Sequence, residues 1–95
     1  MPPVLTPRER AALKARAHAL EPYVTVGQAG VSDAVVAETD RALTAHELIK
    51  VRLAGADRET RQALTEDLCR RTDAAAVQSV GRILVLYRPR PDEET

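Results

Sequence analysis

The chain contains no phenylalanine and no tryptophan, and Tyr23 and Tyr87 are its only tyrosines. It has one cysteine, Cys69, one methionine and four glycines among 95 residues. Each shortage excludes something. One thiol makes no internal disulfide, and Cys69 with two histidines falls short of a four-ligand zinc site, so a reduced, cytoplasmic setting is expected. No apolar run approaches the roughly 18 residues of a membrane span, and the N-terminus lacks a charged-then-apolar signal pattern, so no membrane association is expected. Of the 42 hydrophobic residues 16 are alanine, leaving ten leucines, ten valines and two isoleucines as the main core formers. They suffice for one thin core in a single domain spanning residues 1–95, in which roughly 60% of the unfolded surface becomes buried. A cavity for haem or flavin does not fit, and no cofactor or resident metal is expected.

Net charge is also lacking: 14 basic residues balance 14 acidic ones. The distribution is uneven. Residues 1–20 sum to +3 (Arg8, Arg10, Lys14 and Arg16 against Glu9), residues 21–47 sum to −4, and residues 74–91 give +3 from Arg82, Arg88 and Arg90. Asp92, Glu93 and Glu94 mask this asymmetry at the end of the chain. Twelve of the fourteen cations are arginine, whose planar fork suits phosphate, although a GC-rich coding bias produces the same enrichment.

Local signals set out the elements. Thr6-Pro7-Arg8-Glu9 is a helix start with Thr as N-cap, Pro in the first turn and Glu closing a capping box. That helix is expected to bury Leu13, Ala17 and Leu20, to stack Arg10, Lys14 and His18 in one column, and to end near Leu20 ahead of Pro22. Tyr23–Val26 has strand composition and stops at Gly27. Ser32 and Asp33 open a second helix, to about Ala45, with Val35, Val36, Thr39, Ala42 and Leu43 inward. Leu48–Leu53 reads as a strand with Lys50 and Arg52 on one face and Ile49, Val51 and Leu53 on the other. A turn at Ala54-Gly55-Ala56 leads to Asp57, which caps a third helix with Leu64 and Leu68 inward. Ala75–Val80 and Ile83–Arg88 form a hairpin around Gly81-Arg82. Pro89 and Pro91 stop the sheet, and residues 90–95 are expected to be a disordered acidic tail. The order αβαβαββ, with three helices and four strands, predicts an α/β fold packed as a two-layer sandwich.

The candidate chemistry centres on Gly27-Gln28-Ala29-Gly30. Two glycines let backbone amides approach a phosphate, and the helix that follows aims its positive dipole end at the same place. KH domains clamp nucleic-acid backbone with such a G-x-x-G loop, while a plain strand-to-helix turn needs glycine for geometry alone. Arg10, Lys14, Lys50 and Arg52 offer flanking positive charge. Arg82 and Arg88 mark the hairpin tip and end, and all six serve equally as a solvated face. Tyr87 reads as half-buried core or a base-stacking ring, His46 as a packing residue on an apolar face, and Cys69 as a small hydrophobe. For catalysis the inventory is poor. His46-Glu47 lacks the second histidine of a zinc protease motif, neither Ser32 nor Ser79 lies in a nucleophile elbow, and there is no phosphate-binding Walker pattern. No enzyme activity is expected.

Several stretches together resemble the YhbY-like proteins, the stand-alone bacterial form of the CRM RNA-binding domain. They are Leu5-Thr6, Leu13 to Pro22 with Ala17-His18-Ala19-Leu20, Val26-Gly27-Gln28-Ala29-Gly30-Val31, Glu38 and Ala42-Leu43. The most distinctive are His46-Glu47-Leu48-Ile49-Lys50-Val51 and, after Val77-Gln78, Gly81-Arg82-Ile83-Leu84-Val85-Leu86-Tyr87-Arg88-Pro89. The resemblance covers nearly the whole chain. It implies a four-stranded mixed sheet similar to the C-terminal domain of bacterial translation initiation factor three. It also implies binding of structured RNA, association with precursors of the large ribosomal subunit, and a GxxG loop at Gly27–Gly30 beside a basic surface that includes Lys50 and Arg88. Two positions depart from the family pattern. Ala29 offers no basic or amide side chain inside the loop, and the C-terminal tail is acidic where many relatives are basic. The leading expectation is a non-enzymatic protein that clamps large-subunit rRNA as a monomer during assembly. The alternative is a protein-interaction module on the same fold.

Overall fold

The computed structural model describes residues 3–27, 29–54 and 57–90. Its elements are helix α1 (Pro7–Ala17), strand β1 (Pro22–Val26), helix α2 (Asp33–His46), strand β2 (Leu48–Leu53), helix α3 (Arg58–Thr72), and strands β3 (Ala75–Val80) and β4 (Ile83–Tyr87). The predicted order αβαβαββ holds.

Local chemistry accounts for each helix start. The Thr6 hydroxyl accepts from the Glu9 N–H at 3.0 Å while the Glu9 carboxylate accepts from the Thr6 N–H at 2.8 Å, completing the capping box. Ser32 accepts from the Val35 N–H at 3.2 Å, and Asp57 from the Thr60 N–H at 2.8 Å. Helix α1 ends three residues earlier than expected, so Leu20 lies beyond it and stays 36% exposed.

The strands form one mixed sheet in the order β1-β2-β4-β3. Strand β1 runs parallel to β2, which pairs antiparallel with β4, and β4 pairs antiparallel with β3. The period-two reading of β2 is borne out, since Ile49, Val51 and Leu53 are buried, Lys50 is half-buried and Arg52 is exposed. The parallel β1–β2 pair needs a crossover, and α2 supplies it.

The mixed α/β sheet with three helices is as predicted, but the layering is fuller than a two-layer packing. Helices α2 and α3 cover one face, where Ala42, Leu43 and Leu68 meet Val24, Val26, Ile49, Val51, Leu53, Leu84 and Leu86. Helix α1 crosses the opposite face, where Leu13 and Ala17 pack on Leu48, Val77 and Val85, with Leu5 and Tyr87 at the margin. The physical reason lies in β2 and β4: Leu48, Val85 and Tyr87 alternate out of the first core and need their own cover. Helix α1 packs on β2, β4 and β3, and part of this second face beside it stays open.

Candidate nucleic-acid interface

The loops at one end of the sheet converge. Val26 and Leu53 are in register, as are Arg52 with Ile83 and Ile83 with Val80. The Ala54 N–H donates to the Val26 carbonyl at 2.8 Å and the Leu53 N–H to the Arg82 carbonyl at 2.7 Å. The glycine loop, the start of α2, the start of α3 and the β3–β4 hairpin tip therefore share one edge of the molecule.

Gln28 lies outside the described residues, and so does most of the predicted 54–56 turn. The rest of the glycine loop is a tight turn, with the Gly30 N–H donating to the Gly27 carbonyl and the Ser32 N–H to the Gly30 carbonyl, both at 3.0 Å. Gly30 has φ +85°, where an L side chain is strained, and its α-carbon faces Leu64 of α3. Gly27 has neither a positive φ nor a neighbour in the space a Cβ would fill. The turn thus occupies one amide expected to face a phosphate. The first-turn amides of α2 at Asp33 and Ala34, which helix geometry leaves without intrahelical acceptors, remain available to an anion. Arg71 steadies this end from α3, donating to the Val31 carbonyl at 2.8 Å and to the Asp33 carboxylate at 2.7 Å. Ala29 is exposed on the turn.

The six flanking cations separate into two groups. Lys50 and Arg52 project from β2 on the α1 face, Lys14 faces Lys50 across the cleft beside α1, and Arg82 is exposed at the hairpin tip. None of these four has a carboxylate partner among the described residues. Arg10 and Arg88 belong elsewhere, which corrects the expectation that they join the free basic surface. The Arg10 guanidinium donates to the carbonyls of Ala76 and Val77 at 2.7 and 2.9 Å, where the β3–β4 register shifts. A bulge turns two carbonyls to the same side, and a planar fork meets both. Arg88 donates to the Asp40 carboxylate, the Asp40 and Thr72 carbonyls and the Thr44 hydroxyl, tying β4 to the ends of α2 and α3.

Arg90, expected at the start of a loose tail, is also engaged. Its N–H donates to the Glu47 carboxylate at 2.8 Å, and its guanidinium donates to the Thr44 and Ala45 carbonyls at the end of α2. The rest of the predicted tail lies outside the described residues. His46 is exposed rather than on an apolar face, with its ring 5.2 Å from that of Tyr23. Tyr87 is half-buried against the α1 core. Burial pushes the Cys69 thiol up to about 11, which keeps it protonated and unreactive near neutral pH.

The sequence reading missed Arg58 and Arg61. They line a depression with Gln62, Thr65, Ser79 and Gly81, beside the hairpin tip. The available signal was electrostatic: cations in the opening turns of a helix oppose its dipole.

The comparisons with known proteins agree with this fold. Residues 5–88 match the family model of the CRS1 / YhbY (CRM) domain. A Haemophilus influenzae protein named RNA-binding protein is 51% identical over 85 residues, 90% of this chain and 86% of its own. A Pseudomonas aeruginosa protein likewise named for RNA binding is 41% identical over 87 residues, 92% of this chain and 84% of its own. The solution structure of a Staphylococcus aureus protein superposes with a TM-score of 0.83 at 27% identity, covering 96% of this chain and 95% of that one. With the match running from Leu5 to Arg88, through every helix and strand described, this chain belongs to the CRS1 / YhbY (CRM) domain family.

Proposed function

We propose that this chain is a non-enzymatic RNA-binding protein that clamps structured rRNA and assists assembly of the large ribosomal subunit, acting as a cytoplasmic monomer. One observation carries the reading: the glycine turn, the start of α2, the arginines of α3 and the hairpin tip meet at one end of the sheet, with Lys50 and Arg52 on the adjoining face. Cations without carboxylate partners attract a polyanion, and helix-start amides add directional donors for phosphate oxygens. The names of the relatives support RNA as the polyanion. The resemblance to YhbY-like proteins supports the ribosomal assignment.

The test is a titration of large-subunit rRNA fragments with purified protein at two salt concentrations, with duplex DNA as competitor. Binding is expected to weaken with salt and to resist DNA. Equal affinity for both nucleic acids would remove the assembly role.

A second reading, the protein-interaction module, is favoured by one feature. Leu20 and Tyr23 are exposed beside His46, in a groove of about 360 Å³ that also contains Leu48 and Ile49. Retention of protein partners after nuclease treatment, lost on Tyr23→Ser, would support it.

A further inference from the structure

The open part of the α1 face forms a cleft of about 360 Å³ between α1 and the sheet. That is within the roughly 300–1,000 Å³ range of small-ligand sites. Its walls are Lys14 and Ala17 of α1 with His18 at its end, Lys50 of β2, Gln78 and Val80 of β3, and Ile83 and Val85 of β4. Among the described residues no carboxylate lines it. Val80 is 60% exposed, although it faces Ile83 across the hairpin and belongs to a short, apolar-poor chain.

We propose that this cleft is a subsite for one unpaired nucleotide of the bound RNA, an inference that rests on the RNA-binding reading above. Two kinds of surface coincide here and require a ligand with two kinds of part. The aliphatic side chains of Val80, which is 60% exposed, and half-buried Ile83, over a floor of buried Ala17 and Val85, suit a flat heterocycle. The ammonium groups of Lys14 and Lys50, with no carboxylate partner among the described residues, suit the phosphates on either side of it. The Gln78 carboxamide both donates and accepts, the property needed to meet the edge of a base. A base held in an A-form duplex keeps its flat faces stacked and cannot enter a cleft bounded by a helix. The nucleotide must come from a bulge or loop.

The side chains of α1 divide between the core and this cleft. Leu13 and Ala17 are buried, whereas Lys14 and His18, each the next residue round on the cleft side, are left facing the open sheet. Arg10, the third member of that column, is held over the β3 bulge and stays out of the cleft.

The experiment compares three RNA stems of equal length: fully paired, with one bulged nucleotide, and with the same bulge made abasic. Wild-type protein is expected to prefer the bulged stem by about tenfold, in the range of one base contact, and to lose that preference on the abasic stem. Gln78→Leu and Lys14→Ala, checked for folding by circular dichroism, are expected to bring the bulged-to-paired ratio close to one. Methyl resonances of Val80 and Ile83 should shift with the bulged stem only. Equal binding of the paired and bulged stems by wild type would overturn the cleft assignment and leave RNA binding standing. An unchanged preference in a folded Gln78→Leu variant, or on the abasic stem, would also overturn it. Failure to bind any of the three would overturn the RNA reading itself.

Discussion

The Arg88 guanidinium donates to the Asp40 carboxylate at 2.6 Å across 48 residues of sequence, and the same fork reaches the Asp40 carbonyl, the Thr44 hydroxyl and the Thr72 carbonyl. The Arg88 side chain is 20% exposed, so the charge sits in a partly desolvated corner where α2, α3 and β4 meet. Its hydrogen bonds to neutral carbonyls matter more than its screened ion pair. Arg88→Ala is expected to lower stability by about 1–3 kcal/mol in denaturant titrations. Arg88→Lys should recover less than half, because an ammonium cannot span the same acceptors. The salt slope of RNA binding by the folded variant should match wild type.

Gly30 and Gly27 separate the conformational from the spatial demand on the loop. Gly30→Ala is expected to cost about 1–2 kcal/mol, because φ +85° strains any L residue while the nearest atom, Leu64 Cδ2, lies at an ordinary 3.7 Å. Gly27→Ala should leave the melting curve nearly unchanged. Equal melting temperatures for the two variants would contradict the turn geometry.

Lys50, Arg82 and Arg58 are expected to act on RNA through phosphate charge. Alanine at any one should weaken binding uniformly across RNA sequences and reduce the steepness of log affinity against log salt by about one. A strong sequence dependence in any variant would instead place that side chain on a base.

Asp57 gives the fold an acid-sensitive element. Thr60, through its side chain first and its backbone N–H, holds the Asp57 carboxyl below its ordinary 3.8. A depressed folded-state value means that the cap contributes fully above the unfolded carboxyl's range and is lost as pH falls through the folded value. The stability difference between wild type and Asp57→Asn should therefore be constant from neutral pH to about pH 5 and narrow below pH 4. A difference that widens in acid would reverse the sign of the coupling.

Thr39 is fully buried in α2, and its hydroxyl has no hydrogen-bond partner among the described residues. Valine has nearly the same shape and no polar group to desolvate. Thr39→Val is expected to raise stability by about 1 kcal/mol in the same denaturant assay. A loss of stability would show that the hydroxyl is satisfied in solution.

The sequence alone determined the elements. Caps at Thr6, Ser32 and Asp57 are contacts across three residues, and the alternation in Leu48–Leu53 is a two-residue period, so both are written locally. The glycine turn was legible for the same reason, although only the structure shows that Gly30, and not Gly27, takes the positive φ that glycine permits.

Only the tertiary structure decided which cations are free. Arg10, Lys14 and His18 share one column of a helix, yet packing sends Arg10 to the β3 carbonyls and leaves the other two over the cleft. Arg82 and Arg88 lie six residues apart on a hairpin, one at an exposed tip and the other in a polar corner. A guanidinium takes the best acceptors within reach, and what is within reach is set by which faces α1, α2 and α3 come to cover. That choice depends on burying two sides of one thin sheet at once, and no local period in the chain encodes it.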